Sequence, residues 1–173
     1  MRMFAGLLDR NRWLLLGALA FFIIGMMLGA WGSADPGDGR IEPDNAGHLL
    51  RNNLFSCLLI ASGLVTFGWM AVLYLVLNGF VLGTSVTEQL AAGMEPLRIV
   101  LLIMPHGIFE IPALIMSGAV GLKSLDILLR MMVRPVRSTL VAGAKDTGLM
   151  LAAVVALLVV AAWVETHITP LFK

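Results

Sequence analysis

Charge is what this chain has least of. Only 13% of its 173 residues are Asp, Glu, Lys or Arg, and 59% are apolar. Soluble domains average about 25% charged residues, so this balance, with a mean hydropathy of +0.92, excludes an ordinary water-soluble globular protein. Cysteine occurs once, as Cys57 inside an apolar run, which rules out an intramolecular disulfide and leaves the redox compartment open. The three histidines, His48, His106 and His167, are too few and too scattered for a zinc site, which needs at least three protein ligands. No serine or cysteine nucleophile stands in a recognisable neighbourhood, and no phosphate-binding loop occurs, so this chain carries no ATPase motif. The net charge of +1 says nothing about partners, because in a membrane protein what matters is which loops hold the positive charges. No cofactor, metal or nucleic-acid partner is expected.

What the chain does have is a succession of apolar runs. Met1 to Arg12 is a short amphipathic lead carrying Arg2, Asp9, Arg10 and Arg12. Residues 13–31 are uncharged and bracketed by Trp13 and Trp31, which matches the roughly 20-residue helix that crosses a bilayer with an aromatic at each interface. A cleaved signal peptide is the rival, but its apolar core would be only about 7–15 residues. Gly25 and Gly29 form a small-xxx-small pair suited to close helix approach. Gly32 to Asn53 is an aqueous acidic stretch without EF-hand spacing, closing on an interfacial turn at 48–53.

Leu54 to Gly83 holds no charged side chain. At about 1.5 Å per residue it is too long for one helix across a hydrocarbon core of about 30 Å, and too short for two full spans. Two short or tilted helices, 54–67 and 69–84, meeting at Thr66-Phe67-Gly68-Trp69, are expected; one strongly tilted helix is the alternative. Asn78 is expected to hydrogen-bond across helices, a contact worth about 1 kcal/mol, beside Gly79 and Gly83 at close-contact spacing. Thr84 to Pro96 reads as a loop, with Glu95-Pro96 suited to a helix start. A span at 97–122 follows, then a segment to Lys145 that reads as a basic amphipathic helix on the membrane face or a solvated connection. The last span is 147–164.

Five crossings with the N-terminus in the cytoplasm put 8 of the 12 basic residues inside and 7 of the 11 acidic residues outside. Short loops rich in Lys and Arg stay cytoplasmic, so this bias supports a multi-pass plasma-membrane protein with its C-terminus outside. Merging 54–83 into one span would move the basic segment 123–145 outside. The fold class is therefore all-α, a polytopic transmembrane helical bundle of about five spans, forming a single transmembrane domain over 1–173.

The fourth span carries the polar patch around which the rest is organised. Pro105, His106, Gly107, Glu110 and Pro112 sit inside an apolar run from Ile99 to Leu122. Each proline removes a backbone hydrogen bond, so this helix is expected to be broken at Pro105-His106-Gly107, with neighbours or a cavity receiving the freed groups. His106 and Glu110 are four residues apart and would share a helix face. An ionisable residue at bilayer depth costs about 2.5–3.5 kcal/mol on insertion scales, which makes it a functional-site hypothesis by default. A buried pair that neutralises itself and fixes packing is the structural alternative; transport or proton coupling, on the precedent of broken transporter helices, is the functional one. An intramembrane acid and base is a third.

The stretch Pro105-His106-Gly107-Ile108-Phe109-Glu110-Ile111-Pro112-Ala113, followed by Ser117 to Leu122, resembles the signature of the stage II sporulation protein M family. Asn52-Asn53, Asn78-Gly79 and Gly83 match its other recurring features at similar spacing. The resemblance implies a multi-span membrane protein without established enzymatic chemistry. In spore formers the namesake works in a membrane complex with cell-wall hydrolases during engulfment, and relatives resemble components encoded beside peptide export or immunity systems. It implies a scaffold or assembly subunit, with an exporter component whose ATPase is another chain as the alternative. The expected site comprises Pro105, His106, Gly107, Glu110 and Pro112, with Asn52, Asn53, Asn78, Gly79, Gly83, Gly118 and Gly121 as polar support and helix contacts. Small residues on the first and third spans suit a homo-oligomer such as a dimer.

Overall fold

The computed structural model describes residues 2–32, 46–133 and 135–167, apart from the side chains of residues 2–3, 46–49, 102, 105–106 and 165–167. Its elements are α1 (Arg2–Arg10), α2 (Arg12–Gly32), α3 (Ala46–Ala61), a 3-10 turn (Ser62–Leu64), α4 (Trp69–Ala91), α5 (Pro96–Gly121), α6 (Lys123–Met131) and α7 (Val136–His167). In hydrocarbon every backbone polar group must be satisfied within the chain, and helices do this locally. Four stretches are long and apolar enough to cross a membrane: Arg12–Gly32, Trp69–Ala91, Gly107–Met131 and Val136–Val164. With the shorter α3 they make the all-α bundle that the sequence predicts. Large apolar side chains such as Met27, Phe55, Leu97 and Val159 point outward, and Trp13, Trp31, Trp69 and Trp163 are exposed near helix ends, as in an interfacial aromatic belt.

Two glycine pairs set the first contact. On α2, a Cβ built at Gly25 or Gly29 would collide with the carbonyls of Val76 and Phe80; on α4, Gly79 and Gly83 face the carbonyls of Phe22 and Met26 in the same way. The two helices therefore run parallel with their backbones touching, which only the absence of side chains allows. These glycines face each other within one subunit.

The chain reverses from α3 into α4 at Val65–Gly68, where the residue pattern predicts the turn. Phe67 (φ 51) and Gly68 (φ 86) are left-handed, and the Gly68 amide donates to the Gly63 carbonyl at 2.8 Å. Next to this turn α3, α4 and α5 converge on three small residues: Cβ atoms at Gly63 and Gly121 would lie 2.7 and 2.6 Å from the Ala71 methyl. The core continues as two clusters, one of Ala18, Phe22, Ile60, Leu75 and Ile115, the other of Leu7, Cys57, Met116, Met150, Val154 and Leu158.

Several expectations are corrected. The fourth span is not broken at Pro105-His106-Gly107: α5 is helical without interruption from Pro96 to Gly121, and the change of direction comes at Leu122, between α5 and α6. A proline costs a helix one donor, whereas breaking the helix in an apolar medium would expose several backbone groups at several kcal/mol each. The loop at 84–96 shrinks to 92–95, because α4 runs on to Ala91, with Thr84, Thr87 and Gln89 donating to the preceding turn. The interfacial turn at 48–53 is already part of α3. The last helix starts at Val136 rather than 147, since charged residues end the apolar run without ending the helix.

Candidate functional site

The i, i+3, i+4, i+7 spacing puts Gly107, Glu110, Ile111 and Leu114 on one face of α5, and Asn78, Val81, Leu82 and Ser85 on one face of α4. These faces, with Asn53 of α3 and Phe22 of α2, line a cavity of about 210 Å³. Glu110 is half-buried there, and the Asn53 side-chain amide donates to its Oε1, tying α3 to α5. Asn78 does not bond across helices as expected: its Nδ2 donates to the Tyr74 carbonyl of its own helix at 2.7 Å. The Ser85 hydroxyl accepts from Gln89 Nε2 at 3.2 Å. One carboxylate, two amides and a hydroxyl around this cavity can accept hydrogen bonds or hold a proton. Among the described residues no group of three or more His, Cys, Asp and Glu could hold a metal ion.

The structure thus brings together Asn53, Asn78, Gly107 and Glu110 from the expected set. Asn52 and Pro112 are exposed and lie off this wall. Gly79 and Gly83 serve the α2 contact; Gly118, whose Cβ would lie 2.8 Å from the Ala18 methyl, and Gly121 serve the inner packing of α5. The side chains of Pro105 and His106 lie outside the described ones, and so does the expected pairing of His106 with Glu110.

A second polar centre, at the end of the bundle that carries α1, is absent from the sequence-based set. Asp146 of α7 binds Arg10 Nη2 at 2.7 Å, accepts from Asn11 Nδ2 at 3.2 Å and lies 3.7 Å from Lys123 Nζ. Lys123, 4% exposed, also meets Asp126 at 3.2 Å and donates to Asn11 Oδ1; Arg130 Nε binds Asp126 at 2.7 Å. The hydrogen bond and charge of Asp146 hold the Arg10 guanidinium above its ordinary range. The i+3 and i+4 spacing of Lys123, Asp126 and Arg130 announces their mutual pairs, but nothing local announces Asn11, which is 112 residues from Lys123, or Asp146, which stands on a different helix.

Helices of this length and apolarity define a polytopic helical membrane protein. The chain matches the stage II sporulation protein M family over residues 18–170 and belongs to that family. An uncharacterized protein of Methanocaldococcus jannaschii is 33% identical over 124 residues, covering 70% of this chain and 69% of that protein. No solved structure matches it.

Proposed function

We propose that this chain is a non-enzymatic integral membrane subunit that scaffolds a membrane complex, folded as one transmembrane domain. The observation that carries this is the Asn53–Glu110 hydrogen bond, which engages the carboxylate at bilayer depth in holding two helices together. Membership of the stage II sporulation protein M family supports the reading as a membrane protein. The proposed setting is the plasma membrane, with the N-terminus and the basic end at α1, α6 and the start of α7 in the cytoplasm and the C-terminus outside. Proposed partners are the lipid bilayer, a second copy of the chain and another protein of the complex. Glu110→Gln, which keeps a carbonyl for Asn53 to bond, should leave partner capture in mild detergent intact and lower stability only modestly.

The 210 Å³ cavity beside Glu110 favours a second reading, a transport component working with a separate ATPase chain. In that case Glu110→Gln abolishes transport in vesicles while the complex still assembles. Loss of assembly in a variant that still folds would refute the scaffold as described. Reaction of single cysteines at Ser138 and Gly93 with membrane-impermeant reagents tests the orientation: only the one at Gly93 should react from outside.

A further inference from the structure

The α1 end of the bundle holds a second cavity, of about 310 Å³, between α6 and the first turns of α7. Its wall carries three cations, Arg10, Lys123 and Arg130, against two carboxylates, Asp126 and Asp146, so positive charge is in excess. Lys123 is buried between both aspartates, but the Arg10 and Arg130 side chains are 54% and 41% exposed. Each engages one edge of its guanidinium, Arg10 through Nε and Nη2 and Arg130 through Nε, and no described residue takes the remaining N–H groups. Two more cations, Arg137 and Lys145, are exposed on nearby turns of α7.

Beside this cavity lies a groove of entirely different character. It measures about 680 Å³ and is lined by Phe67, Leu128, Met131 and Leu140, with Ile127 in the wall of both spaces. Arg130 borders the charged cavity and its neighbour Met131 the apolar groove, so the last turn of α6 divides the two. Leu125, Leu128, Leu129 and Met132 give α6 an exposed apolar side, as in a helix lying at a membrane surface.

We propose that this end of the protein binds an anionic phospholipid, which straddles the last turn of α6 with its phosphate between Arg10 and Arg130 and an acyl chain along Met131 and Leu140. A guanidinium presents a planar fork of donors that matches phosphate oxygens, and half-engaged arginines keep donors for a ligand. Basic pockets between membrane helices at the lipid surface take anionic headgroups. A soluble phosphate would use the charged cavity alone; the apolar groove alongside is what selects a lipid.

The test uses the purified full chain in detergent, titrated with phosphatidylglycerol, with phosphatidylcholine of the same chains and with glycerol phosphate. Readouts are the thermal midpoint and the lipid-bound mass by native mass spectrometry. Phosphatidylglycerol should raise the midpoint saturably and appear as a bound species, and the other two should do neither. Arg130→Gln should weaken that binding about five-fold, the contribution of about one basic residue near an anionic surface, while Arg98→Gln at the opposite end should not. Leu140→Ser should weaken it as well. Arg130→Lys keeps the charge without the fork and should give an intermediate loss, which serves if the glutamine variant does not fold. Equal effects of the two lipids, or equal losses from Arg130→Gln and Arg98→Gln, would overturn the proposal. A response to glycerol phosphate as large as to the lipid would assign the cavity to a soluble anion and end the lipid assignment.

Discussion

Replacing Gly79 by alanine adds one methyl group, and the structure sets its cost. The new Cβ would collide with the carbonyl oxygen of Phe22 and lie 2.9 Å from the amide nitrogen of Met26, both backbone atoms of α2 that no rotamer change can move. The two helices must therefore separate, losing dispersion contacts along the Gly25–Gly29 and Gly79–Gly83 seam. Overpacking of this kind costs about 1–3 kcal/mol, and a chain of this size shifts its midpoint by about 2–4 °C per kcal/mol, so a loss of about 2–12 °C is expected. The same substitution at Gly148 is the control. Nothing lies within 4 Å of a Cβ there, and a helical glycine replaced by alanine should be neutral or stabilising by up to about 1 kcal/mol. Thermal unfolding of both variants in one detergent measures the difference. Because the seam lies within one subunit, size-exclusion mass should not change for Gly79→Ala. A Gly79→Ala protein as stable as the parent, or one that changes oligomeric state without losing stability, would refute the α2–α4 packing described here.

Other outcomes follow from the same packing. Lys123→Met removes the cation between Asp126 and Asp146 and should destabilise the chain by about 3–5 kcal/mol in chemical or thermal unfolding, as expected when one partner of a buried ion pair is lost. Asn53→Leu takes a donor from the Glu110 carboxylate and should cost about 1–3 kcal/mol, more than Glu110→Gln, by the same measurement. The Cys57 thiol is 2% exposed, so maleimide labelling should be negligible in the folded protein and rise only along the unfolding transition; rapid labelling under native conditions would contradict its burial.

Most of the architecture could be read from residue types. A stretch of apolar residues about as long as a bilayer is thick has few alternatives to a helix, which is why the run from Trp13 to Trp31 and the reversal at Thr66 to Trp69 were legible. Helix ends were not, because a helix continues into water as long as its polar side chains are satisfied. Thr87 and Gln89 do this for α4 by bonding to their own helix, and Asp146 does it for α7 by bonding to Arg10 and Asn11. The prolines of α5 misled for a related reason: a local steric rule met a medium that penalises the alternative more.

By its composition and periodicity alone the sequence determined that this is a membrane protein of helices, with a carboxylate kept at bilayer depth and basic residues gathered toward one end. It also carried the family signature. Only the tertiary structure decided which of the polar groups meet. Asn53 and Glu110 are 57 residues apart, Lys123 and Asn11 are 112 apart, and their pairing depends on the close approach that the glycine seams permit between neighbouring helices. Such contacts rest on interhelical distance, which no single segment encodes.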